Sequence, residues 1–434
     1  MAGKRRASEI FLIAGFIAII FAVPTGQVCI ELGRGGRAQF ADLFRYGPSE
    51  GNLRQFEKAL EEQSWFRQKL RPEMQARLFA TFRDAGHQAV LGREGWMFYK
   101  PDVRLLIEPD RPEKGPTGSV WVERRGLTTK RESVLKTIVN FHDRLAERGV
   151  KLLVVPVPGK PSVYPDMLTR RARDFTAFRS PTESLIEEFE KRGVEAVNLF
   201  DLFRKRRASS RSEAYYLARD THWTPKGAKL AALTVAARLK SLGWAPEPSR
   251  KYEVARTAVA RRSDIIEMFH VPELHNAYPP EVVECEIVRD SSLGPLVPAG
   301  STLAGTYMDP ERATPILVLG DSFLRIYQTP EPKSLGEGVG HKGAGGDLKE
   351  GGTKRLLPGS AGFISHLALS LGGPVDYIVS DGGASADVRM KLSANAEILD
   401  GKKVVIWEFA ERDIMLGEDG WRDTPLPRKL SQEY

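Results

Sequence analysis

The chain has 434 residues, 41% apolar and 28% charged, which suits up to about three average domains or one large α/β domain with insertions, and excludes a disordered or multi-span protein. Lysine plus arginine exceeds aspartate plus glutamate by 64 − 56 = 8, a mildly basic balance that fits an anionic partner and gives no reason to expect nucleic acid. The two cysteines, Cys29 and Cys285, exclude a disulfide scaffold and any multi-cysteine zinc or iron–sulfur site.

Ile10 to Val23 is an unbroken apolar and small-residue run, and the 21 residues between Glu9 and Glu31 carry no charge. At about 1.5 Å per residue that is one bilayer crossing. Lys4, Arg5 and Arg6 precede it, so the positive-inside rule keeps the N-terminus cytoplasmic and sends the rest of the chain outward. Residues 1–30 are therefore expected to be a signal-anchor helix. It would hold the protein to the bacterial inner membrane, facing a Gram-negative periplasm. A cleaved signal peptide is the alternative. No small-x-small cleavage site stands out, and Val28 before Cys29 does not suit a lipoprotein signal.

Residues 31–90 read as a helical juxtamembrane segment, with a helix over 49–82 marked by Leu53, Phe56, Leu60, Trp65, Phe66 and Leu70. Gly92–Tyr99, GREGWMFY, reads as a turn into a strand. From 91 to 434 helix and strand alternate. The spacing predicts helices over 133–148, 181–192, 225–242, 360–371 and 384–399, the third capped by Thr224 with Pro225 at its first position. Buried strands are predicted over 151–157, 194–199, 315–319, 375–380 and 403–408. The pattern implies a doubly wound α/β sheet with helices on both faces. Two stretches interrupt it: 244–314, proline- and charge-rich, read as an irregular insertion, and 330–359, glycine-rich, read as a surface loop or mobile lid.

The sharpest chemical signal is ILVLGDSF, where a buried strand ends at Gly320 and Asp321, and Ser322 opens a helix. A serine outside the carboxyl end of a parallel strand is solvent-accessible, and the helix N-terminus favours a developing oxyanion. Asp220 and His222 stand two residues apart before the capped helix, a spacing that lets the carboxylate orient the imidazole and the imidazole deprotonate a serine. Trp223 would wall the site. No further histidines or cysteines stand at ligand spacing, so no metal and no cofactor is expected. His270 and His275 read as surface residues.

DTHWTPKGA followed about a hundred residues later by LVLGDSF resembles the AlgJ/AlgX family of polysaccharide O-acetyltransferases, named for alginate acetylation and built on an SGNH-hydrolase-like domain. GREGWMFY, VPVPGKPSVYP and VVIWEFAERD are similar to family segments in the same order. The resemblance implies a triad of Ser322 as nucleophile, His222 as base and Asp220 as orienting acid, with the acid–base pair preceding the nucleophile. Arg325 and Tyr327, after the nucleophile, and Lys160, Tyr164, Trp407 and Arg412, near predicted strand ends, are further candidates for substrate or oxyanion contact. Only 21 residues follow Asp413, so the anchored AlgJ branch is expected, without the carbohydrate-binding module of AlgX.

The expected function is a membrane-anchored periplasmic O-acetyltransferase that forms an acetyl-serine and passes the acetyl group to an exported polysaccharide. The family implies a multi-span membrane O-acyltransferase as the donor partner. A carbohydrate acetylesterase shares the same site chemistry, and a non-catalytic scaffold of a secretion complex is the third reading. Two basic clusters, Arg170, Arg171 and Arg173, and Lys205, Arg206 and Arg207, are expected on the surface, where they would attract a polyanion.

Overall fold

The computed structural model describes residues 2–37, 64–107, 127–210, 213–269, 273–293, 313–328 and 360–426, together with Ser49, Leu53 and Val271. It divides into two units, Met1–Gly86 with Glu267–Tyr278, and His87–Ile266 with Pro279–Tyr434. In the first, the helix Ala2–Gly33 carries Leu12–Gly33, which is long and apolar enough to cross a membrane. A π-helical turn, Phe66–Leu70, runs into the helix Arg71–Phe82, with Pro72 in the first turn, where a missing N–H costs nothing. Most of the helix predicted over 49–82 before residue 64 lies outside the described residues.

Among the described residues the second unit holds nine strands: β1 (Ala89–Leu91), β2 (Met97–Tyr99), β3 (Lys151–Val157), β4 (Glu195–Ala196), β5 (Tyr252–Arg261), β6 (Glu281–Asp290), β7 (Ile316–Gly320), β8 (Asp376–Val379) and β9 (Val404–Ala410). β1 and β2 form a hairpin around the predicted GREGW turn. The central sheet is parallel throughout, in the order β4-β3-β9-β7-β8. The last of the described strands in sequence is thus the middle strand in space.

Strand alternation divides the interior in two. Leu153, Val155, Ile316, Val318, Val404 and Ile406 enter one core with the helices Pro225–Ser241 and Phe363–Leu371. Leu152, Val154, Leu317, Leu319, Val405 and Trp407 enter the other with Leu127–Ala146, Pro181–Lys191 and Asp387–Ala394. Both faces are covered, as continuous apolar strands require.

Three expectations need correction. The strand predicted over 194–199 shrinks to β4, because the Asn198 side chain accepts from the N–H groups of Phe200 and Asp201 and starts an unpredicted helix, Leu199–Ser209. The helix predicted over 384–399 breaks at Asn395 into Asp387–Ala394 and a 3₁₀ turn, Ala396–Leu399. The insertion over 244–314 is not irregular: β5 and β6 pair antiparallel from Tyr252↔Asp290 to Arg261↔Glu281. Residues 294–312 and the glycine-rich stretch 330–359 lie outside the described residues.

Candidate active site

β7 is buried along its whole length and ends at Gly320. A Cβ on Gly320 would collide with the Glu408 carboxylate and with Leu324, so glycine is required there by space alone. The Asp321 N–H donates to Glu408 Oε2 at 3.0 Å, and Asp321 Oδ1 accepts from the Phe323 N–H at 2.8 Å. These two bonds fix the strand-to-helix corner and set Ser322 at the first position of the one-turn helix Ser322–Arg325. Ser322 is half-buried, whereas Asp321 is sealed inside the corner that it shapes with Gly320.

The loop carrying Asp220 and His222 is pinned from below. The buried Lys160 ammonium donates to the carbonyls of Leu217, Ala218 and Asp220 at 3.0, 2.9 and 2.7 Å. Thr224 ends the loop by accepting from the Gly227 N–H at the start of Pro225–Ser241. His222 Nδ1 lies 2.7 Å from Asp220 Oδ1, and His222 Nε2 lies 2.9 Å from Ser322 Oγ. Nδ1 therefore carries the proton toward Asp220, leaving the Nε2 lone pair for the serine hydroxyl. The structure brings the three residues together from loops 100 positions apart.

Two further residues enter from the end of β5. Arg261 Nε reaches Asp220 Oδ2 at 3.0 Å. Asp264 Oδ2 stands 3.4 Å from His222 Nδ1 and accepts the Thr221 hydroxyl, while the Asp264 N–H donates to Asp220 Oδ2 at 3.2 Å. Burial pushes the Asp220 carboxyl up, but Arg261 and the His222 hydrogen bond outweigh it and hold Asp220 well below the usual carboxylate range. Burial opposes the charge on His222, and its bonds to Asp220 and Asp264 overcome this and raise the imidazole to about 9. The donor atoms of Asp220, His222 and Asp264 lie within 4.8 Å of one another, a spacing a cation can bridge, but Arg261 and the Thr221 hydroxyl already occupy the carboxylate oxygens. Sequence reasoning missed both residues because they sit in a stretch read as irregular; the only signal available was the alternation of β5 before them.

β9 buttresses the corner from the centre of the sheet. Beyond its Glu408, Glu411 Oε1 accepts from the Gly159 N–H at 2.6 Å and from the Ser162 hydroxyl, and Oε2 accepts from Ser180 and Thr182 at 2.6 and 3.0 Å. Burial pushes Glu411 up to about 7 against the pull of these donors.

Of the other predicted contacts, five are buried side chains held by their own neighbours. Trp223 is fully buried, edge-on to Phe323 at 5.0 Å and stacked on Phe363 at 6.1 Å, so it backs the site instead of walling it. Tyr327 is buried and donates to the Trp223 carbonyl at 3.3 Å. Tyr164 stacks on Trp96 at 4.5 Å and accepts from the Tyr215 N–H at 2.9 Å. Trp407 points into the opposite core and donates to the Ala384 carbonyl at 2.9 Å. Lys160 is consumed by the loop it pins. Arg325 pairs with Asp381 through Nε, at 2.7 and 2.8 Å. Arg412 lies closer to the chemistry, 5.5 Å from the Phe323 ring centroid and 3.4 Å from Asp102 Oδ1.

The second basic cluster is also corrected. Lys205 and Arg206 are exposed, but Arg207 is buried between the rings of Tyr164 and Phe175, at 4.1 and 4.0 Å, and forks onto Asp166 at 2.6 and 2.7 Å. Arg170, Arg171 and Arg173 are exposed as expected. His275 is half-buried near Glu267, and His270 lies outside the described residues.

Comparison with known proteins agrees with this architecture. Residues 89–337 match the family model described as SGNH hydrolase-like domain, acetyltransferase AlgX. The probable alginate O-acetylase AlgJ of Pseudomonas aeruginosa is 22% identical over 346 residues, 79% of this chain and 74% of that protein. The alginate biosynthesis protein AlgX of the same organism is 25% identical over 193 residues, 43% of this chain and 37% of that protein. The solved O-acetyltransferase domain of Pseudomonas putida AlgJ is 18% identical, with a TM-score of 0.51 over 76% of this chain and 93% of that one, which shows a shared fold.

Proposed function

Because the chain belongs to the AlgX family of SGNH hydrolase-like acetyltransferase domains, we propose that it transfers acetyl groups to an exported polysaccharide through an acetyl-serine on Ser322. The observation that carries this reading is the relay from Ser322 Oγ through His222 to Asp220, at 2.9 and 2.7 Å, at the carboxyl end of a parallel strand.

In the first half-reaction Ser322 Oγ attacks the acetyl carbonyl as its proton passes to His222 Nε2. That proton then goes to the departing group, and the acetyl group remains on Oγ. In the second half-reaction a sugar hydroxyl gives its proton to Nε2 and attacks the acetyl-serine, and the proton returns to Oγ as the ester leaves. Asp220, kept anionic by Arg261, holds the tautomer and stabilises the transient imidazolium. The Ser322 N–H, at the start of its helical turn, is the proposed donor to the developing oxyanion.

The apolar helix Ala2–Gly33 supports anchoring in the inner membrane with the second unit in the periplasm. A single span cannot carry acetyl groups across a bilayer, so a multi-span O-acyltransferase is the proposed donor partner. The names of the relatives make alginate, or another acetylated exopolysaccharide, the proposed acceptor.

The decisive test is polymer analysis. Cells lacking the protein should export polymer without O-acetyl groups by NMR, and wild-type protein should restore them while Ser322→Ala should not. Acetate release with no transfer to added polymer would instead make the enzyme an esterase.

A further inference from the structure

We infer that the inserted β5–β6 hairpin is a working part of the active site, with Asp264 acting as a second carboxylate that positions His222 and Arg261 as its counter-charge. The inference rests on the serine–histidine reading above and adds a residue to it.

The geometry is a closed ring. Asp264 Oδ1 accepts from the Thr221 N–H at 2.8 Å, and Oδ2 accepts the Thr221 hydroxyl and faces His222 Nδ1 at 3.4 Å. The Asp264 N–H and Arg261 Nε both take Asp220 Oδ2, leaving Asp220 Oδ1 for the imidazole. One carboxylate suffices to fix a histidine tautomer. A second negative charge beside the same ring nitrogen stabilises the imidazolium further and makes His222 a stronger base. Two adjacent carboxylates repel, and Arg261, on Asp220 Oδ2, offsets that repulsion. A base strengthened in this way suits deprotonation of a sugar hydroxyl, a weak acid. It also leaves His222 protonated over more of the neutral range, so turnover is tied to pH.

The groups facing His222 from each packed element are few. Asp220 and Thr221 lie on its own loop, Asp264 and Arg261 on the hairpin, and Ser322 and the Phe323 ring on the nucleophile corner, the ring 4.9 Å away. Lys160 lies behind Asp220, and Arg412 lies across Phe323. Of these, only Asp264 adds a second negative charge at Nδ1.

The test uses the full chain in detergent with p-nitrophenyl acetate as the probe. In Asp264→Asn the acid limb of the kcat/KM–pH profile should move down by about one pH unit or more, since a nearby opposite charge shifts a pKa by about 1–3. Asp264→Glu should restore the limb most of the way. Arg261→Gln should move it up, which keeps the test open if Asp264→Asn does not fold. A uniform loss of activity with the limb unmoved in both Asn and Gln variants would overturn the inference, leaving the hairpin a packing element. Histidine titration by NMR in a Ser322→Ala background reads the imidazole without catalysis. It separates the two failures: wild-type turnover by Ser322→Ala sinks the serine reading, whereas an unchanged His222 midpoint in Asp264→Asn sinks this one.

Discussion

The ammonium of Lys160 donates to the main-chain carbonyl of Asp220 at 2.7 Å, so the residue that opens the helical turn after β3 sets the height of the loop that carries His222. It also takes the carbonyls of Leu217 and Ala218 and lies 5.3 Å from the centre of the Phe98 ring. Burial pulls its pKa down to about 8. Lys160→Met keeps the bulk and removes the donors, leaving three carbonyls short of partners. Stability should fall by about 2–4 kcal/mol, the cost of stranding buried polar groups. kcat/KM should fall at least about tenfold, through the displaced His222. Thermal unfolding and ester turnover measure the two effects; unchanged values for both would show that the loop holds its shape without the lysine.

The histidine sets opposite pH trends for stability and activity. Its pKa is raised from 6.5 to about 9 in the folded state, so its stabilising contribution is complete below pH 6.5 and disappears as pH rises through about 9. On the proposed serine mechanism catalysis needs the neutral ring, so kcat/KM for a small ester should climb about tenfold per pH unit from pH 7 and level off near 9. A profile already flat at pH 7 would contradict a base held this strongly.

Gly320→Ala tests the corner. The added methyl would press on the Glu408 carboxylate and Leu324, which hold Asp321 and the helical turn. Activity should fall by about 100-fold or more, the penalty of an ångström-scale misplacement of the nucleophile, while circular dichroism stays native. Wild-type rates in this variant would mean that Ser322 tolerates a moved backbone.

The basic surface separates into two roles. Lys205→Gln with Arg206→Gln should leave stability within about 0.5 kcal/mol of wild type, as exposed charges do. If that surface draws in an anionic polymer, the pair should flatten the salt dependence of transfer to polymer without altering ester turnover, since such attraction is screened beyond about 10 Å at 0.1 M salt. Arg207→Gln should behave otherwise and lower Tm, because it removes a buried fork onto Asp166 and two ring contacts. Identical salt curves for wild type and the exposed pair would point to a neutral acceptor.

The strand periods and caps were legible because each is local: KLLVVPV and PILVLG are apolar enough to need cover on both faces, and Thr224-Pro225 is a helix start wherever it occurs. The juxtaposition of Ser322, His222 and Asp220, proposed as the triad, was legible through short-range order at a strand end and a helix start. Arg261 and Asp264 were not, since their placement depends on where a hairpin 41 to 44 residues downstream of Asp220 comes to rest. The burial of Arg207, expected on the surface, and of Lys160, expected to face substrate, was not legible for a related reason. A long cationic side chain looks like surface in a sequence, and only the tertiary placement of Asp166, or of three open carbonyls, turns it inward.

The placement of β9 between β3 and β7 has a consequence for how the molecule is born. Within the sheet those two strands bond to β9 and to the outer strands, and not to each other. A chain that emerges N-terminus first therefore has both halves of its sheet without the strip that joins them until residues 404–410 arrive. Until then Glu408 cannot grip Asp321, and Glu411 cannot grip Gly159. The corner that holds Ser322 is thus completed only once β9 is made, and nascent chains stalled short of β9 would be open and sticky.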